Sequence, residues 1–197
     1  MKLKHHIIIG KEVIDNIDIN ILKEFGMHKL CYLFGTIYPD INCVYPAHRL
    51  STTNRKFYIL LNKLDRTNSS VAKSFRLGVI THYMCDYFCF AHNNESLGLF
   101  HKIYEEKLLD EYKKHLKGDW DYSCDIVETW SKCKQNNNER NIEKYIVKQL
   151  SLVNKQYNKE SKTDKGKGWY NDTERMHRDL SYCSYIVINV TLMLMTA

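Results

Sequence analysis

Apolar residues recur at three- and four-residue steps along almost the whole chain, the spacing that lines one face of an α-helix. Residues 5–24 place Ile8, Ile9, Val13, Ile17 and Ile21 on such a stripe. A short apolar helix over about 26–35 is expected to end before Tyr38-Pro39-Asp40, because proline fixes φ and donates no backbone hydrogen bond. Ser51 is placed to cap a helix reaching about Arg66. Asn68-Ser69-Ser70 is a start signal for a long helix from Val71 to about His92. Residues 95–116 continue with Leu97, Phe100, Ile103, Tyr104, Leu108 and Tyr112 apolar. Further helices are expected over 123–133 and 141–157, then a lysine-rich loop over 155–168 and a last helix from about Asp172 to the end. Strand-like alternation is confined to short runs, and there is no internal repeat. The reading is all-α: a single domain over residues 1–197, a bundle of seven to eight helices.

Composition narrows the classes. A chain of 197 residues, 44% apolar, is long enough for a real core. Eight glycines and two prolines argue against collagen-like and low-complexity classes. A net charge of +6 is too mild to coat nucleic acid by charge alone, so no specific nucleic-acid partner is expected. The mean hydropathy of −0.48 excludes a polytopic membrane protein. Leu180 to Ala197 carries no charge, but Ser181, Tyr182, Ser184, Tyr185, Asn189 and Thr191 interrupt it. It reads as a buried core helix, with a tail docked on a membrane or partner as the alternative. The start of the chain has only three consecutive isoleucines where a secretory signal needs roughly 7–15 apolar residues. A cytoplasmic location is therefore expected, with the seven cysteines reduced. No pattern sets an oligomeric state.

The histidines carry the chemistry. His82 to His92 reads H-x3-D-x5-H with Asp86 between, and His101 to Glu105 reads H-x3-E. A four-residue step stacks two side chains on one helix face, which is how one helix offers two ligands to one metal. Nine His and 12 Asp predict only about 0.025 chance copies of the first pattern. Asp86 also sits among Val79, Ile80, Tyr83, Phe88 and Phe90, where a carboxylate needs a partner. A metal is one such partner, and an ordinary helix pair is the other reading. On one straight helix His92 would lie about 15 Å from His82, too far to share an ion. Two centres are expected if all are ligands: His82 with Asp86, and His92 with His101 and Glu105. Cys85 and Cys89 share a helix but read as core packing.

Leu77-Gly-Val-Ile-Thr-His82-Tyr-Met-Cys-Asp86, followed by His92, resembles the core motif of the zinc-dependent phospholipase C family. The likeness spans about residues 5–105. The resemblance implies an all-helical fold around a cluster of two to three zinc ions. Gly35-Thr-Ile-Tyr-Pro39-Asp40 is similar to the family's Pro-Asp turn, whose aspartate is a ligand. His48 matches the next ligand, and His6 matches the early histidine. His82, Asp86, His92, His101 and Glu105 match the remaining ligands, with Asp86 as the bridge between two zincs. The implied reaction is phosphodiester hydrolysis by a zinc-activated water, with Asp40 and Asp86 as the catalytic carboxylates. The implied substrate is a phospholipid or related phosphoester, met by transient contact with a membrane surface. A zinc nuclease or phosphatase, or a non-catalytic zinc protein, are the alternatives. Two departures stand out. Ile41 replaces an aromatic group near the head group, which Tyr45 could partly supply. Trp120, Trp130 and Trp169 all lie late, so no tryptophan near the start offers an amine and carbonyl. The third site would then depend on His6 with His5, water or a processed terminus, and is expected to be the weakest.

Overall fold

Caps and tertiary anchors set where the helices begin and end. The computed structural model describes residues 1, 3–42, 50–93, 100–115, 148–149, 151–153, 155–157, 159 and 172–196. Among them it contains nine α-helices and no strand. The stripe expected over 5–24 is two helices, α1 (Leu3–Asn16) and α2 (Ile19–Phe25). Asp18 divides them: its carboxylate accepts from Asn20 N at 2.7 Å and caps α2. Gly26 closes α2 at φ 71°, a left-handed position that glycine adopts without strain.

Helix α3 (Lys29–Ile41) runs through the expected turn instead of stopping before it. Pro39 lies in its final turn, so only the hydrogen bond to the Gly35 carbonyl is forfeited there. Next come α4 (Leu50–Asp65), α5 (Ser70–Tyr87), α6 (Phe90–Asn93) and α7 (Phe100–His115). The start of α5 is as expected, with Ser69 Oγ accepting from Ala72 N. Of the helix expected over 141–157, residues 148–149, 151–153 and 155–157 are helical. The helix expected over 123–133 lies outside the described residues. Helices α8 (Thr173–Ser181) and α9 (Val187–Thr196) are one continuous element joined by a π turn, Tyr182–Ile186.

Helix α5 is the axis of the fold. Leu77 through Tyr87 are all buried, so it has neighbours on every side. Its backbone meets α3 directly. A Cβ on Gly35 would lie 2.2 Å from the Phe75 carbonyl, and one on Gly78 would lie 2.1 Å from the Tyr32 carbonyl. Only glycine at both positions permits this approach, and a Tyr32–Thr81 hydroxyl contact of 3.1 Å continues it. The uncharged C-terminal helix is mostly buried against this core: Val187 to Met193 are all inside. The whole element Thr173–Thr196 is long and apolar enough to cross a membrane by length and composition, yet most of its apolar stretch is enclosed.

Helix α5 does not reach His92. It stops at Tyr87, and its last carbonyls find partners from elsewhere. Asn93 Nδ2 donates to the Tyr87 and Cys89 carbonyls at 2.7 and 2.9 Å. Tyr157 donates to the Phe88 carbonyl at 2.6 Å. Asp179 accepts from the Phe90 N–H at 2.7 Å. The chain turns through Phe88 and Cys89 and restarts as α6.

Candidate metal centre

Two groups of three donors converge among the described residues: His6, Asp40 and His82, then His92, His101 and Glu105. Within each group the ligand atoms all lie within 4.8 Å of one another. The first trio is gathered from three helices, with His6 on α1, Asp40 in the last turn of α3 and His82 on α5. His6 and His82 are fully buried, and their rings stack with centroids 3.9 Å apart. Their Nε2 atoms lie 3.9 and 3.8 Å from the two oxygens of Asp40. His82 Nδ1 sits 2.8 Å from the Thr36 carbonyl, which can only accept. Nδ1 therefore carries the proton, and Nε2 turns its lone pair toward the carboxylates.

The second trio is local. His101 and Glu105 are one turn apart on α7, with His101 Nε2 3.0 Å from Glu105 Oε1. His92, on α6, lies 3.1 Å from the same oxygen. The His92 and His101 rings meet edge to face at 4.7 Å. This trio is more open: the His101 side chain is 30% exposed.

Asp86 joins the two groups. It is fully buried, with Oδ1 3.4 Å from His6 Nε2 and 3.3 Å from His92 Nε2, and Oδ2 3.2 Å from His82 Nε2. Burial pushes its carboxyl up, but His92, the chain's amine, His82 and His6 outweigh burial and hold it well below the carboxylate range. Glu105 is also held low, with burial outweighed by the amine, His101 and His92. Burial lowers both His6 and His92, favouring the neutral imidazole that binds metals. Asp40 moves the other way, raised chiefly by burial.

The bend after Tyr87 corrects the one-helix reading. His92 lies not about 15 Å away along a straight axis but against Asp86, so the two expected centres share that carboxylate. The first residue of the sequence lies beside the shared carboxylate. The Met1 amine lies 2.6 Å from Asp86 Oδ1 and 3.0 Å from Glu105 Oε1, and it touches His92 Nε2. Burial lowers the amine's pKa, but Asp86 and Glu105 drive it up to about 12. A main-chain amine has no side-chain signature, so no motif could announce it. His5 is buried beside His6 but belongs to neither trio. His48 and Tyr45 lie outside the described residues. His28, 3.0 Å from Ser70 Oγ, and His177, 3.3 Å from Glu111, stand apart from the trios. Cys85 and Cys89 are core residues whose thiols are pushed up by burial.

Residues 5–160 match the model of a family described as zinc dependent phospholipase C. The chain belongs to that family. No curated protein and no solved structure matches it. The matched span contains both trios and Asp86. For a zinc-dependent family the donor set is suitable: imidazole nitrogens and carboxylate oxygens, with one histidine already oriented by a carbonyl.

Proposed function

We propose that the protein hydrolyses the phosphodiester bond of a phospholipid or a related phosphoester, in the manner of a phospholipase C. The observation that carries this reading is Asp86, one buried carboxylate facing both donor trios. His6, Asp40 and His82 would hold one zinc, and His92, His101 and Glu105 another. Asp86 would serve both, with the Met1 amine beside it, for two to three ions in all. Bound zinc lowers the pKa of a coordinated water toward about 7 and offsets charge on a phosphate oxygen.

The protein's own residues divide the remaining work. His82, fixed by Thr36, presents a lone pair in one direction. Asp40 is the carboxylate at the lip of the first trio, with its side chain 25% exposed. It is placed to orient a water and accept its proton. Asp86 keeps its charge and holds the two trios in register. Tyr45 is assigned to the head group, and His48 to the first ligand set.

The test is zinc content with turnover on three substrates: phosphatidylcholine, a p-nitrophenyl phosphodiester and single-stranded DNA. The expected result is two or more zincs, chelator-sensitive release of diacylglycerol, and little cleavage of DNA. Preferential cleavage of DNA would replace the reading with a nuclease. Zinc without turnover on any of the three would leave a binding protein.

A further inference from the structure

Asp179 lies outside both trios and beyond the span that matches the family. It is on α8, 0% exposed, and every oxygen it carries is used. Oδ2 accepts from the Phe90 N–H at 2.7 Å and from the Tyr104 hydroxyl at 2.8 Å. Oδ1 takes the Tyr157 hydroxyl at 2.7 Å, and that hydroxyl also reaches the Phe88 carbonyl at 2.6 Å. Phe90, Tyr104 and Phe88 each lie close in sequence to Asp86 or to a donor of the second trio. Phe90 opens α6, two residues before His92. Tyr104 directly precedes Glu105 on α7. Phe88 lies in the turn that follows Asp86 and carries the chain to His92.

The other contacts point the same way. The Arg175 guanidinium, also buried, lies 4.3 Å from the Phe90 ring centroid. Asn93 pins the far end of α6 to the Tyr87 and Cys89 carbonyls. Helix α6 has only four residues, too few to hold its own place. Its position is set by what grips its ends, and the carboxylate that grips its start also grips α7.

We propose that Asp179 is a positioning residue for the second trio: it fixes α6 against α7, and so His92 against His101 and Glu105. The proposal rests on the reading of that trio as a zinc site. Outer partners of this kind set the geometry of metal ligands and typically contribute about 10–100-fold in metal affinity. The first trio hangs on α1, α3 and α5 and makes none of these contacts, so its affinity should not respond.

The experiment uses the full chain and zinc alone, titrated against a chromophoric chelator. Asp179→Asn keeps the size of the side chain but offers one acceptor where there were two. Tyr104→Phe removes one grip with little change in packing. Both should weaken one class of zinc about 10–100-fold and leave another class unchanged. In a His101→Ala background, where that class is already lost, neither substitution should weaken the zinc that remains. Zinc affinities equal to the parent in both variants would overturn the proposal, even if both melt at lower temperature, because that is the signature of a merely structural carboxylate. Equal loss from all classes would overturn it too. A parent protein that binds no zinc would instead overturn the metal centre on which the proposal rests.

Discussion

The two trios are built in different ways. His6, Asp40 and His82 come from three helices and are set by the core itself. Stacked rings, a carbonyl on His82 and the glycine contact between α3 and α5 hold them. His92, His101 and Glu105 come from one four-residue helix and the first turns of α7. They are partly open to solvent at His101 and steadied from behind by α8. The first site should therefore rise and fall with the fold. The second can be loosened while the fold stands.

The largest effect that could break this contrast is at Gly78. In Gly78→Ala the new Cβ would meet the Tyr32 carbonyl, and α3 must move away from α5. A cost of about 3 kcal/mol or more is expected, lowering Tm by roughly 10 °C. Thermal melts with and without chelator should both show the drop, because the defect lies in the backbone packing. A drop seen only with metal present would show that the glycine contact serves the site and not the fold.

Asp86→Asn should be next. Its carboxylate faces both trios, so zinc at both should weaken by more than the ~100-fold that marks loss of an outer partner. Glu105→Gln should affect the second class of zinc only. Elemental analysis after dialysis against a zinc buffer decides between them, and full metal retention in Asp86→Asn would remove the bridge from the comparison.

The histidines sharpen the contrast further. His6→Ala empties a fully buried space beside the His82 ring and should cost about 2 kcal/mol or more in the metal-free protein. His101→Ala, at a partly exposed position, should cost well under 1 kcal/mol. Urea midpoints of the two variants measure the difference, and equal costs would mean that both sites are equally built into the core.

The smallest effect is a pH dependence of the metal-free protein. His6 and His92 are held below the ordinary imidazole value by burial, so folded protein binds fewer protons than unfolded near pH 6. Stability from them is full above about pH 6.5 and is lost as pH falls. Asp179 has the opposite sign. Burial, opposed by Phe90, Tyr157, Tyr104 and Arg178, raises it to about 6, so its protonation favours the folded state as pH falls from about 6 to 4. Replacing Asp179 by Asn removes that offset, and the acid loss of stability should become steeper. Urea midpoints at pH 7, 6 and 5 test this, and a shallower profile would reverse the sign assigned to the buried carboxyl.

How much of this could be read in advance follows from where each signal lies. His82 with Asp86, and His101 with Glu105, were legible because a four-residue step on a helix fixes proximity by geometry alone. Asp40 and His6 were reached through the family resemblance, since their partners are far away in sequence. Ser69 and the start of α5 were legible as a local cap. The break after Tyr87 was not, because what ends that helix is Asn93, Tyr157 and Asp179, and Asp179 is almost ninety residues away. Asp18 did carry a local cap signal, but the apolar stripe that continues through Ile21 masked it. Thr36 holds His82 through its carbonyl, and main-chain groups are the same in every residue but proline.

The C-terminal helix holds a π turn between the part that reaches the second trio and the part that seals the core. A π turn accommodates one surplus residue, and one residue of α-helix corresponds to about 100° of rotation. Upstream of it, Asp179 faces α6 and α7. Within it, Ser184 reaches Glu12 on α1 at 3.0 Å and Cys183 reaches the Cys85 carbonyl on α5 at 3.3 Å. The buried positions after the turn, Val187 to Met193, are thus phased against Asp179 by a single extra position. Excising Tyr185 would restore uniform winding and rotate Val187 to Met193 relative to Asp179, with Cys183 and Ser184 still present. The helix works like a key cut on two sides, and the offset between the cuts is stored in its length.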